Sequence, residues 1–97
     1  MDMTGQFHFA LVPGADERAF VDTMRKDVFD VLHSTRITRG FDHVLLKGPA
    51  PRQFVWQARV DLMTDHGYDF SADAPQVQEL VESHAVLIGV DTFENVD

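Results

Sequence analysis

Five histidines, one tryptophan and no cysteine set the chemistry open to this chain. His8, His33, His43, His66 and His84 form no His-x-His, His-x3-His or His-Glu-x-x-His pattern, so spacing gives no reason to expect a metal. His8 is the most suggestive. It sits within the alternating segment Gln6–Val12, on the less apolar face, and Gln57, Arg59 and Asp61 occupy the equivalent face of a later segment. An imidazole exchanges a proton near neutral pH, and a guanidinium fixes an anionic or enolate-like oxygen. These residues are predicted to converge, either around a small polar-aromatic ligand or at a dimer interface where hydrogen bonds satisfy them.

His66 is the second candidate proton acceptor. It falls in the stretch 64–71 with Asp65, Tyr68, Asp69 and Phe70, a composition suited to a lid over a sheet end. His43 and Trp56 are candidate ligand-binding residues together with Arg59 and Gln57. The side of its strand that His43 takes is left open, because both Phe41/Leu45 and Val44/Leu46 are apolar. Trp56 offers an indole that stacks on a ring and donates one hydrogen bond, yet its neighbours on the same face are all apolar, which suits core packing equally. Arg36 and Arg39 form a basic pair that suits an anion or neighbouring carboxylates. For His84 the alternative is the end of a helical stripe, and for His33 a place near a helix C-terminus. No Gly-x-Gly-x-x-Gly, phosphate-binding loop or Gly-x-Ser-x-Gly elbow is present, which argues against nucleotide-dependent and serine-hydrolase chemistry.

The elements that must position these residues follow from periodicity. Phe7, Phe9 and Leu11 alternate with Gln6, His8 and Ala10, a strand ended by Pro13-Gly14. Asp16 is placed to cap a helix over 16–33, whose apolar stripe is Phe20, Met24, Val28 and Val31. Phe41–Lys47 reads as a second strand, and Gly48-Pro49-Ala50-Pro51 as a turn. The clearest strand is Arg52–Met63, with Phe54, Trp56, Ala58, Val60 and Leu62 on one face. A loop over 64–73 leads to Asp73-Ala74-Pro75, which opens a short helix carrying Val77, Leu80, Val81 and His84. Ala85–Glu94 has strand composition.

The order is strand, helix, strand, strand, helix, strand. It predicts an α+β fold of the ferredoxin-like βαββαβ plan, a four-stranded antiparallel sheet with both helices on one face. Strands one and three are expected in the centre, strand two beside three and strand four beside one. The 97 residues make one domain, 1–97. A net charge of −8 opposes non-specific attraction to nucleic acid, and no apolar run is long enough to span a membrane. The start Met1-Asp2 lacks the pattern of a secretory signal, and the absence of cysteine suits a cytoplasmic location.

The whole-chain plan resembles the dimeric α+β barrel superfamily. The features that carry the likeness are a helix ending in Asp27-Val28-Phe29 and His33, then Thr35-Arg36 and Gly40, a tryptophan-bearing third strand and a short second helix. The superfamily includes antibiotic-biosynthesis-type monooxygenases and stress-responsive barrel proteins. The resemblance implies a homodimer with sheets face to face, and ligand pockets between sheet and helices or inside the barrel. The monooxygenase-type members use an asparagine, a tryptophan and a histidine; Trp56 matches the tryptophan strand, while the only asparagine here is Asn95. The expected activity is that of a small cofactor-independent enzyme acting on an aromatic or polyketide-like molecule. The alternative is a non-catalytic barrel that binds a ligand or joins subunits. An enzyme of this kind is expected to set a wall of Phe7, Phe9, Phe54 or Trp56 against one titrating histidine, although His8 has the opposite parity to Phe7 and Phe9.

Overall fold

The computed structural model describes residues 2–31, 38–62 and 68–96, with the backbone alone at 38–41. Strand β1 (Asp2–Leu11) turns Met3, Gly5, Phe7, Phe9 and Leu11 inward. It begins before Gln6 because Met3 and Gly5 continue the inward series. Gly5, a residue depleted in strands, is where the buried ring of Phe70 lies against the backbone.

Helix α1 (Glu17–Thr23) starts where Asp16 accepts a hydrogen bond from the Arg18 amide at 3.2 Å. The regular α-helix expected over 16–33 is interrupted. Met24–Val28 winds as a π-helix, with the Phe29 amide donating to the Met24 carbonyl, and α-geometry resumes over 29–31. The apolar stripe survives: Phe20, Met24, Val28 and Val31 are all buried.

Strand β2 (Thr38–Lys47) and strand β3 (Gln53–Leu62) flank the proline-rich turn. A short 3-10 turn (Phe70–Asp73) then runs into helix α2 (Ala74–Val81), which has proline in its first turn. Its buried stripe is narrower than the spacing suggested. Val77 and Val81 are buried, but Leu80 is 37% exposed and His84 lies beyond the helix, where its amide donates to the Val81 carbonyl. Strand β4 (Ala85–Glu94) closes the chain's sheet.

The sheet is antiparallel in the order β2-β3-β1-β4, with the neighbours expected from the element order. Phe20, Met24 and Val28 from the first helix and Val77 and Val81 from the second join Phe7, Phe9, Phe54, Trp56 and Val60 in one core. Both helices therefore lie on one sheet face. The opposite face carries Thr4, Gln6, His8 and Ala10 from β1 and no described helix covers it. Among the described residues no helix is long and apolar enough to cross a membrane.

Candidate functional site

Strand pleating divides the sequence-predicted residues between the two faces of the sheet. His8, Gln57 and Arg59 share the open face, because β1 residues of even number stand beside β3 residues of odd number: Thr4 opposite Arg59, Gln6 opposite Gln57 and His8 opposite Val55. Trp56 and His43 lie on the helix side. There Leu45 is opposite Trp56 and His43 opposite Ala58, which resolves the side that His43 takes. His66 lies outside the described residues, as do His33, Asp65 and Arg36.

On the open face the polar side chains pair across strands and form a ladder. Gln6 Nε2 donates to Gln57 Oε1 at 3.1 Å, Arg59 donates to Asp2 Oδ2 at 2.7 Å, and Thr4 Oγ1 donates to Asn95 Oδ1 at 2.9 Å. His8 faces Gly89 in the register and reaches diagonally to Asp91, with Nε2 and Oδ2 2.9 Å apart. The hydrogen bond from Arg59 holds the Asp2 carboxyl below its ordinary range, and the same bond raises the guanidinium. Two shallow concavities share Arg59. One of about 410 Å³ is shared with Glu94, Asn95 and Val96, and one of about 240 Å³ with Asp42, His43, Val44 and Gln57.

Apolar side chains flank this ladder. Val44 and Leu46 of β2 and Val86 and Phe93 of β4 are each more than two-fifths exposed, and Ile88 stands out at the irregularity in the β1–β4 register. A polar centre with apolar margins is suited to contact with another surface.

On the helix side, the Trp56 indole is fully buried, stacked on Phe7 at 4.9 Å and close to Phe29 at 5.5 Å between ring centroids. Its Nε1 is the buried side-chain donor without a hydrogen-bond partner among the described residues. The His43 ring lies 4.1 Å from that of Phe29 and edge-on to Trp56 at 6.3 Å. Desolvation lowers the pKa of His43, against the opposing fields of Asp30 and Asp42.

The expected pocket that would set Phe7, Phe9, Phe54 or Trp56 against His8 is corrected by this geometry. Phe7, Phe9 and Trp56 have no exposed surface, and His8 is on the other side of the sheet. The histidine beside the aromatic wall is His43. Sequence reasoning missed Asp91 as the partner of His8 and Asp2 as the partner of Arg59. It also missed Phe29 as the ring against His43. The alternation of β4 was the available signal for Asp91; nothing local pointed to Asp2. Among the described residues no three His, Asp or Glu side chains gather as a metal-binding group. Compared with protein families, curated proteins and solved structures, the chain finds no match.

Proposed function

We propose that this chain works as a homodimeric binding barrel of the ferredoxin-like, dimeric α+β kind, setting the two open sheet faces against each other around a small aromatic ligand. The observation that carries this reading is the uncovered face itself: a ladder of paired polar side chains bordered by exposed Val44, Leu46, Val86 and Phe93. Its size is adequate. Four strands of ten residues, at about 3.3 Å per residue and about 4.8 Å between strands, present roughly 600 Å² per protomer. Two such faces together reach about 1,200 Å², the lower bound for a stable specific interface. A two-fold axis pairs like with like, so ladder meets ladder and both signs of charge are available on each side.

Sedimentation equilibrium at micromolar concentration tests this, with a mass of two 11.0-kDa chains as the expected result. Replacing Leu46 and Val86 together by aspartate is expected to give folded monomers. A parent protein that sediments as a monomer refutes the proposal.

A catalytic reading has one observation in its favour. His8 stands on a central strand with a carboxylate at 2.9 Å, an arrangement that fixes the orientation of the imidazole so that its other ring nitrogen can accept a proton. A cofactor-independent enzyme of the monooxygenase-like type then uses His8 as base. His8→Gln lowering turnover of an aromatic phenol at least ~100-fold, with unchanged melting temperature, supports that reading; unchanged turnover removes His8 as base.

A further inference from the structure

A second candidate site lies on the other side of the sheet, at its β2 edge, and does not depend on dimerisation. A groove of about 270 Å³ runs between the first helix and β2. That is below the usual volume for drug-sized ligands and suits a single ring with a short substituent. From the helix it is lined by Val21, Arg25 and Phe29, and from the sheet chiefly by His43, Leu45 and Phe54.

Three independent features converge there. The wall is aromatic, with the Phe29 and His43 rings 4.1 Å apart and inclined at 53°, leaving ring surface to meet a planar guest. The groove is also cationic in a chain of net charge −8. Lys47 at its end is held by Glu17 at 2.9 Å, whereas the exposed Arg25 side chain has no ion-pair or hydrogen-bond partner among the described residues. Finally, Arg25 lies within the π-helical segment Met24–Val28, and Phe29 follows it directly. Such turns are rare, give up regular helix geometry and recur at functional sites. This one sets the rotation at which Phe29 meets the groove.

We propose that this groove binds a small aromatic monocarboxylate, its ring against Phe29 and His43 and its carboxylate on Arg25. A guanidinium offers a planar fork that matches a carboxylate with two parallel hydrogen bonds. Asp30 and Asp42, whose fields act on His43, disfavour a second negative charge at the ring end and so select against dicarboxylates. Trp56 lies behind both rings, so a guest that moves them is reported by the indole N–H.

The test is a titration of the 15N-labelled full chain with sodium benzoate, followed by amide and indole resonances, with benzamide as the neutral isostere. Benzoate up to about 20 mM detects a millimolar Kd. The expected result is movement of the Trp56 indole and the Phe29 and Leu45 amides, and affinity for benzoate roughly tenfold above benzamide, the ratio of one charge-assisted hydrogen bond. Arg25→Gln is expected to abolish that ratio by weakening benzoate more than benzamide, while Arg18→Gln, outside the groove, preserves it. Phe29→Leu keeps apolar volume and is expected to weaken both ligands together. Equal affinity for the two ligands, insensitivity to Arg25→Gln, shifts confined to the open face around Gln57, or no shift at all would each overturn the proposal.

Discussion

Adding one methyl group at Gly5 is expected to destabilise the protein by about 1–2 kcal/mol, although alanine is ordinarily the better strand residue. A Cβ built there meets the Phe70 ring, standing 2.6 Å from Cδ1 and 2.8 Å from Cδ2; carbon atoms prefer about 3.5–4.0 Å. The ring has little freedom to retreat. It is fully buried, meets Phe7 and Tyr68 edge to face, and its own amide donates to Thr92 Oγ1 at 3.0 Å. Overpacking of this kind costs about 1–3 kcal/mol, against about 0.5–1 kcal/mol regained because alanine loses less backbone freedom on folding. Urea unfolding followed by Trp56 emission would show a lower midpoint with an unchanged slope. The melting temperature is expected to fall by roughly 5–15 °C. In the Gly5→Ala, Phe70→Leu double variant, the flexible leucine accommodates the methyl, so the losses add to less than their sum. A Gly5→Ala protein as stable as its parent, or strict additivity, refutes the packing argument.

Tyr68→Phe removes the hydroxyl that donates to the buried Asp73 carboxylate at 2.7 Å and is expected to cost about 1.5–3 kcal/mol in urea unfolding. Desolvation holds His43 below its ordinary value of 6.5, so the unfolded chain takes up that proton first and stability is lost as pH falls through 6.5 and below. His43→Gln is expected to flatten this part of the stability profile between pH 7 and 5; an unchanged slope contradicts it. Gln78→Leu leaves the Leu87 amide and Ala85 carbonyl without the side chain that binds both, an expected loss of about 1–2 kcal/mol by the same measurement.

The sheet was legible in the sequence wherever burial differs between faces. On β3 the contrast between Phe54, Trp56, Ala58 and Val60 and the residues between them marks which face meets the helices. On β2 it fails, because an edge strand with Val44 and Leu46 on its outer face and Leu45 against the core is apolar on both sides. The π-turn was hidden in plain spacing. Phe20, Met24 and Val28 recur every fourth residue, a pattern that drifts by roughly 40° per step on a helix of 3.6 residues per turn. A wider turn takes up that drift, so the stripe stays inward while the hydrogen bonding changes. The polar ladder was half visible. Parity put His8 beside Gln57 and Arg59, but the partners of His8 and Arg59, Asp91 and Asp2, depend on cross-strand register that only the folded sheet specifies.

The Gln78 side chain has a consequence for how copies of this protein meet. Its amide takes the outward Leu87 N–H and Ala85 C=O together, 2.7 and 3.1 Å away, as a neighbouring strand would. A foreign strand approaching β4 at that point finds its docking groups already occupied, and its main-chain hydrogen bonds have nowhere to start. The rim of β4 is blunted against templated fibre growth by one residue of a helix. Exposed Val86 and Ile88 nearby are thereby left free to make contacts through their side chains without recruiting the backbone beside them into an unending sheet.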